Sequence, residues 1–300
     1  MQKAESGLEL KSKNIYPQML FNSTFFNNLV SLKKHLLWLV EIERKVRFSP
    51  PFANTFPVIC NFMNDSSAED FIYFIDLDEF LVCNNFAKTQ FLISPFLIHY
   101  ITYKNFHPIY SSLNLDTVLH DYKEAEIGFS SPRFNLITII NWKNNGLIVG
   151  LGNRDKIDKF FTQNEIEKIE RIAKLEIEFE KIRRKINIFL PSRLSSLYLA
   201  ENTYEGRTML KNMFFLKKKN FLITEINITE NILFHRADYR WVEEYEKNQN
   251  IEFIYNYWLG NPYDNNPQYE YLLEGKIKMS NEEHWEFIKK YHAEKKLQIT

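Results

Sequence analysis

Residues 165–186, EIEKIERIAKLEIEFEKIRRKI, carry the clearest structural signal in this chain. Apolar side chains recur there every three or four residues, with glutamate, lysine and arginine between them. This spacing predicts an amphipathic helix whose apolar stripe packs against a core. The stripe consists of Ile166, Ile169, Ile172, Leu175, Phe179, Ile182 and Ile186. Asn164 is the predicted N-cap, and Pro191 lies just beyond the predicted end of the helix.

The chain after this helix is predicted to alternate between short strands and short helices. Runs of β-branched and aromatic residues indicate the strands, and helical spacing indicates the helices. The predicted elements are a strand over 193–200, a helix over 204–214, a strand over 221–228, a helix that starts near Asp238, a helix over 251–259 and a strand over 269–279. The charged segment 281–300 is predicted to be a solvated terminal helix. This mixture predicts the fold class α+β.

The sequence before the helix gives weaker signals. Helical spacing predicts helices over 24–48 and 116–126. Residues 56–106 combine short aromatic and aliphatic runs with Asn, Pro and Ser, a pattern that suits buried strands and irregular connections. Residues 134–140, FNLITII, are predicted to be a strand that leads into a turn at 143–146. We divide the chain into a partly helical N-terminal region, 1–127, which would select a target, and a C-terminal domain, 128–300.

Composition limits the class of protein. The 300 residues are 45% hydrophobic and include only 8 glycines, which is enough apolar material for a packed core. Because 38 Lys and Arg balance 38 Asp and Glu, the formal net charge is +0, which gives no strong signal for nucleic-acid binding. The two cysteines cannot form a disulfide scaffold. No Sec-type signal opens the sequence and no apolar run reaches the ~20 residues of a membrane span, so we expect a cytoplasmic protein or an effector exported without a Sec signal.

Two carboxylates follow the apolar run at 71–82, FIYFIDLDEFLV. Asp76 and Asp78 are two residues apart, and alternate residues of a strand point the same way, so both side chains would face one hard cation. This pattern resembles the first motif of haloacid-dehalogenase-like phosphatases, although Phe80 stands where those proteins usually have Thr. It also resembles the aspartate-any-aspartate motif of nucleotide-sugar glycosyltransferases, which normally have a longer nucleotide-binding fold before it. The histidines show no HExxH spacing, so we assign no zinc site.

Four further motifs follow one another in the C-terminal part of the chain. They are Pro191-Ser192-Arg193-x-x-Ser196, Arg236-Ala237-Asp238-x-x-Trp241, Tyr257-Trp258-x-Gly260 and Pro267-x-x-Glu270-x-Leu272. An acidic helix precedes the first of them. In order and spacing this arrangement, over roughly residues 165–280, resembles an uncharacterised bacterial family of the ADP-ribosyltransferase-like superfamily.

The resemblance implies a split antiparallel sheet, NAD as the substrate and a macromolecular acceptor, most simply a protein. Transfer of ADP-ribose breaks the glycosidic bond to nicotinamide through an oxocarbenium-like state, so the site needs a carboxylate near the ribose. Glu270 is the candidate catalytic carboxylate, and Glu274 is its rival. The predicted strand would present Arg193 and Ser195 together, as further catalytic and NAD-binding groups, with Ser196 on its other face.

The remaining candidate NAD-binding residues are aromatic or basic. Tyr257 and Trp258 would stack on nicotinamide or adenine. Transferases of this fold also carry an Arg or His on their first core strand, and Arg133 is the first candidate for it, followed by His99. The resemblance therefore implies a mono-ADP-ribosyltransferase, of a kind used as a toxin or effector. The alternatives are a metal-dependent phosphatase or glycosyltransferase that uses Asp76 and Asp78, and a non-catalytic binding module.

Overall fold

The computed structural model of the chain describes residues 70–95, 132–146, 150–153, 156–213 and 220–299. These residues fall into two compact units. The smaller unit includes Trp142–Ile166, and the larger one comprises Ala68–Asn141 and Glu167–Thr300. The helices predicted over 24–48 and 116–126, and His99, lie outside the described residues.

The described part of the smaller unit includes a hairpin and the start of a long helix. Strands β3 (Gly150–Asn153) and β4 (Lys156–Phe160) pair antiparallel, and helix α3 (Gln163–Ile186) follows them. Thr162, and not Asn164, caps this helix. Its hydroxyl accepts the amide N–H of Glu165 at 3.3 Å, and the Glu165 carboxylate accepts the N–H of Thr162 at 2.8 Å. This reciprocal pair satisfies two of the N–H groups that a helix leaves free at its start.

Five strands of the larger unit form one antiparallel sheet. They are β1 (Phe71–Asp76), β2 (Phe91–Ile93), β5 (Leu197–Glu201), β6 (Phe221–Asp238) and β7 (Tyr269–Met279), in the order β2-β7-β5-β1-β6. The long β6 pairs with β1 through its first residues and with β7 through the rest, so the pairings among β1, β5, β7 and β6 close into a ring. The sheet therefore contains strands from both sides of the boundary predicted at residue 128, because β1 and β2 supply two of its hydrogen-bonded strands.

The sheet has an apolar cluster on each face. Alternating residues of β7 show this, since Leu272 belongs to one cluster while Tyr271 and Leu273 belong to the other. The first cluster is completed by α3, α4 (Tyr204–Met213), α5 (Arg240–Asn248) and α6 (Ile251–Trp258). The second is completed by α1 (Phe80–Thr89) and α7 (Glu282–Ile299). With α2 (Pro132–Asn144), the described ranges contain seven helices, and the fold class is α+β as predicted.

The elements with strong periodicity are confirmed. Helices α3 to α7 and strand β7 lie where the sequence predicts them, while β6 extends ten residues beyond its predicted end at 228. The strand predicted over 134–140 is wrong, because these residues belong to helix α2. Pro132 occupies the first position of that helix, where proline is favoured, and the β-branched composition is too weak a signal to override tertiary context. None of the helices in the described ranges is both long and apolar enough to cross a membrane.

Gly206→Ala is expected to destabilise the protein, although alanine ordinarily stabilises a helix by about 1 kcal/mol relative to glycine. A Cβ atom on Gly206 would lie 2.2 Å from the carbonyl oxygen of Glu201, so α4 would have to move away from β5. We expect the free energy of unfolding, measured by urea denaturation, to fall by about 1–3 kcal/mol, the usual cost of overpacking. The exposed Thr208→Ala in the same helix is the control and should change it by less than about 0.5 kcal/mol. A stabilised Gly206→Ala protein would contradict the close contact between α4 and β5.

Candidate functional site

The segment 191–196, Pro-Ser-Arg-Leu-Ser-Ser, is a turn and not the beginning of a strand. The Ser192 carbonyl oxygen accepts the N–H groups of Ser195 and Ser196 at 3.1 and 3.0 Å. Strand β5 begins only at Leu197. The prediction that Arg193 and Ser195 share one face of a strand is therefore wrong, because a turn directs neighbouring side chains to different partners.

The guanidinium group of Arg193 lies between two carboxylates. Its Nε and Nη2 donate to Glu176 of α3 at 3.0 and 3.2 Å. Its Nη1 donates to Glu270 Oε1 of β7 and, at 2.6 Å, to the Tyr257 hydroxyl of α6. That hydroxyl donates in turn to Glu270 Oε1 at 2.5 Å. Three chain segments distant in sequence thus meet at one arginine.

Arg133 extends this arrangement from helix α2. Its Nη1 donates to Glu176 Oε1 at 2.5 Å, and its guanidinium carbon lies 5.3 Å from the centre of the Tyr198 ring. The prediction that Arg133 begins a core strand is wrong because it lies in a helix, but the structure does bring it to the predicted site. We call Arg133, Glu176, Arg193, Tyr257 and Glu270 the Arg193 cluster. Counted as ionised, its two arginines and two glutamates carry no net charge.

The Arg193 cluster is enclosed, and its charges stabilise one another. Arg193 is 1% exposed, and Glu176, Tyr257 and Glu270 are 0% exposed. Burial alone would lower the pKa of Arg193, but the charges of Glu176 and Glu270 hold that pKa well above its usual value. Burial alone would raise the pKa of Glu176, but Arg133 and Arg193 hold it below its usual value. Burial, together with the charge of Glu270, raises the pKa of Tyr257 even though Arg193 opposes the shift.

The two oxygens of Glu270 have different surroundings. Oε1 accepts hydrogen bonds from both Arg193 and Tyr257. Oε2 is buried and has no hydrogen-bond partner within the described part of the chain. A buried carboxylate oxygen without a donor is costly, so it points to a donor supplied by a water molecule or a ligand.

Ser195 does not reach Glu270. Its hydroxyl donates to Glu274 Oε1 at 3.2 Å, and the N–H of Ser192 donates to the same oxygen at 2.9 Å. Glu274 lies four residues, or about 13 Å, along the same face of β7 from Glu270. The rival carboxylate therefore anchors the turn, whereas Glu270 contacts Arg193. Ser196 is 4% exposed, and its hydroxyl oxygen has no hydrogen-bond partner among the described residues.

Trp258 belongs to the core. It is 2% exposed, and its Nε1 donates to the Phe179 carbonyl oxygen at 2.9 Å. Its ring stacks on His235 with 5.5 Å between the ring centres. His235 Nε2 lies 3.2 Å from the Tyr257 carbonyl oxygen, and burial lowers the pKa of His235 from 6.5 to about 4. His235 is therefore neutral at pH 7 and holds the end of α6 in place.

The motif at 236–241 holds the loop that precedes Glu270. The buried Asp238 accepts the backbone N–H groups of Tyr263 at 2.8 Å and Gln268 at 3.1 Å. Arg240 binds both carboxylate oxygens of Asp264 at 2.7 Å. We call residues 261–268 the 261–268 loop. Its first six residues are exposed, and the ring of Tyr263 packs edge-on against Trp241 with 4.8 Å between the ring centres.

Sequence reasoning missed Glu176. This carboxylate follows Leu175 within α3, at a position that a helix turns towards the apolar stripe between Ile172 and Phe179. A glutamate at a core position of an amphipathic helix must find a cation, because an unpaired buried charge is strongly unfavourable. A glutamate at a core position was therefore the sequence feature that could have indicated a buried ion pair. The sequence does not say which arginine is its partner.

Asp76 and Asp78 do not share a strand face. Strand β1 ends at Asp76, whose Oδ1 accepts the N–H of Asp78 at 3.0 Å, and Asp78 forms an ion pair with Lys295 at 2.6 Å. Among the residues that the structure describes, no three His, Cys, Asp or Glu side chains form a group suited to a metal ion. The metal-dependent alternative remains a prediction, to be tested by Mg²⁺ or Mn²⁺ binding that is lost in Asp78→Asn.

Two cavities lie near the candidate residues but not within the Arg193 cluster. One of about 50 Å³ is lined by the start of α4 and by Pro267, Gln268 and Tyr269, directly before Glu270. A larger groove of about 400 Å³ lies between α3 and α5 and is lined by Arg171 and Tyr245 among others. Ligand pockets usually measure about 300–1,000 Å³. The smaller cavity is therefore too small for a dinucleotide, and Glu270 does not line it.

Arg193→Met is expected to lower the free energy of unfolding by about 3–5 kcal/mol, because it leaves two buried carboxylates without their shared cation. Combining it with Glu270→Gln should cost less than the sum of the two single changes, since the double variant removes one of those charges. Urea denaturation of all four proteins measures this coupling. Arg171→Met breaks the exposed pair with Glu246 and is the matched control, with an expected cost below about 1 kcal/mol. Equal costs for Arg193→Met and Arg171→Met would contradict a buried, mutually dependent cluster.

Stability is expected to fall as the pH falls from about 6.5 to 4, partly because of His235. In the unfolded chain His235 takes up a proton near pH 6.5, whereas the folded protein resists protonation until about pH 4. The unfolded state therefore binds more protons in this window, which corresponds to about 3 kcal/mol over the whole range. His235→Phe keeps a ring beside Trp258 and should lose this part of the pH dependence. Parallel pH curves for wild type and His235→Phe would show that His235 is not shielded from protonation.

The C-terminal part of this chain matches a protein-family model. The family DUF2441, described as protein of unknown function, has a model that matches residues 114–289, more than half of the chain. The seven preferred candidates for the NAD site lie inside this range, whereas the second-choice His99 and the pair Asp76 and Asp78 lie outside it. A comparison with curated proteins gives no match. The chain therefore belongs to DUF2441, a family of proteins of unknown function.

Proposed function

We propose that this chain transfers ADP-ribose from NAD to a macromolecular acceptor, with Glu270 as the catalytic carboxylate. The proposal rests on the different hydrogen bonding of the two carboxylate oxygens of Glu270. Arg193 and Tyr257 hold Oε1, while Oε2 is buried without a partner among the described residues. A carboxylate fixed through one oxygen offers the other to a ribose hydroxyl of the substrate.

The chemistry needs a carboxylate held in this way. The bond between the nicotinamide nitrogen and the ribose C1′ breaks, and nicotinamide leaves with the electron pair. The ribose then develops positive charge, which Glu270 would stabilise while it binds a ribose hydroxyl. An acceptor oxygen, nitrogen or sulfur forms the new bond to C1′ and releases its proton to solvent. The products are nicotinamide, the ADP-ribosylated acceptor and one proton.

The motifs of the resemblance support the same assignment. Three of them contribute a side chain to one contact, namely Arg193, Tyr257 and Glu270. The fourth, at 236–241, holds the 261–268 loop through Asp238 and Arg240. Segments that fold together around one carboxylate are consistent with a common site in an ADP-ribosyltransferase-like domain.

NAD reaches Glu270 only if the structure opens. The carboxylate is 0% exposed, and the neighbouring cavity of about 50 Å³ is too small for a dinucleotide. The 261–268 loop directly precedes Glu270, and its first six residues are exposed. In this proposal the loop moves to admit NAD, which breaks the ion pair between Arg240 and Asp264 and the hydrogen bonds to the buried Asp238.

Glu270→Gln is expected to lower the rate of nicotinamide release at least about 100-fold, since it removes the charge that stabilises the ribose cation. Wild type and variant are incubated with labelled NAD and a cell lysate, and both free nicotinamide and label on macromolecules are followed. Asp78→Asn is the control, because Asp78 lies outside the family match and outside the Arg193 cluster, and it should retain the wild-type rate. Thermal unfolding and circular dichroism establish that each variant is folded. A folded wild-type protein that neither binds nor cleaves NAD would refute the proposal.

The burial of the Arg193 cluster favours a second candidate, a non-catalytic binding module. Arg193, Tyr257 and Glu270 would then serve only to join α3, α6 and β7, which fits their exposure of 0–1%. In that case NAD neither binds nor reacts, while the chain still captures a partner. The labelled-NAD experiment separates the two candidates, because only the transferase releases nicotinamide.

A further inference from the structure

Glu176 and Glu270 share a single guanidinium group, and they share it unequally. Glu176 accepts hydrogen bonds from two nitrogens of Arg193, Nε and Nη2, at 3.0 and 3.2 Å. Only Nη1 is left for Glu270, and it donates to Oε1 together with the Tyr257 hydroxyl. The planar guanidinium has fixed donor directions, so the pairing with Glu176 sets the direction in which Nη1 points.

We propose that Glu176 is a positioning residue for Glu270, acting through Arg193. This inference rests on the proposed ADP-ribosyl transfer. By occupying one side of Arg193, Glu176 prevents the guanidinium from turning both of its amino groups towards Glu270. Glu270 is therefore held by one oxygen, and Oε2 stays available for the ribose hydroxyl.

Arg133 makes this role testable, because it binds Glu176 from the other side. Its Nη1 donates to Glu176 Oε1 at 2.5 Å. Glu176→Gln changes the formal charge of the Arg193 cluster from zero to +1, while Arg133→Gln changes it to −1. Both variants break the same buried ion pair, so a purely structural role predicts that the affinity for NAD falls in both. A role in the site predicts opposite effects on the affinity for NAD, whose pyrophosphate is anionic.

The experiment measures the dissociation constant for NAD and kcat for nicotinamide release in wild type, both single variants and the double variant. Glu176→Gln should bind NAD about tenfold more tightly, because one unit charge acts on the pyrophosphate at low dielectric. Its kcat should fall at least tenfold, since Arg193 then engages both oxygens of Glu270. Arg133→Gln should bind NAD about tenfold more weakly. The neutral double variant should bind within about threefold of wild type.

The outcomes distinguish this inference from the proposed function. Wild type that does not bind or cleave NAD refutes the function, and the role of Glu176 falls with it. Active wild type with NAD affinity lowered in both single variants refutes the role of Glu176 alone, as does a kcat of Glu176→Gln equal to that of wild type. If Glu176→Gln does not fold, Arg133→Gln decides the matter, and unchanged or tighter NAD binding by that variant overturns the inference.

Discussion

The buried guanidinium of Arg193 is the interaction on which the larger unit depends. A charge enclosed by protein is tolerated only when opposite charges and hydrogen bonds surround it. Arg193 satisfies this condition with Glu176 of α3, Tyr257 of α6 and Glu270 of β7. The helix layer and the sheet are therefore fixed to each other by one charged contact as well as by apolar packing.

The turn that carries Arg193 is held twice between the same two elements. Arg193 lies between Glu176 of α3 and Glu270 of β7, while Ser192 binds Glu180 of α3 through its hydroxyl and Glu274 of β7 through its N–H. In both elements the two glutamates are four residues apart. Ser192 and Arg193 of the turn thus join about one turn of α3 to four residues of β7.

The contact of Glu270 with Arg193 and Tyr257 serves both the stability of the fold and the proposed chemistry. A carboxylate that is fully paired stabilises the fold but has nothing to offer a substrate. Glu270 combines both roles because Arg193 and Tyr257 saturate one oxygen and leave the other without a described partner. The unsatisfied oxygen costs stability, as groups at functional sites often do. Under the proposed function, access to Glu270 requires displacement of the 261–268 loop, which directly precedes it.

Local pattern was sufficient for the regular elements of this protein, since the apolar stripe of α3 and the uninterrupted run of β7 have the period of their own secondary structure. The resemblance in motif order, and not periodicity, brought Arg193, Tyr257 and Glu270 forward as candidates. The composition of residues 134–140 predicted a strand, but this β-branched run forms a helix, because β-propensity depends on the surface against which a segment packs. Only the tertiary structure decided that Arg193 lies in a turn, that Glu176 is its second partner, that Ser195 binds Glu274, and that Glu270 is enclosed. Pairing between charges is set by distances in space, and Arg193 and Glu270, which are 77 positions apart, have no periodicity that records their contact.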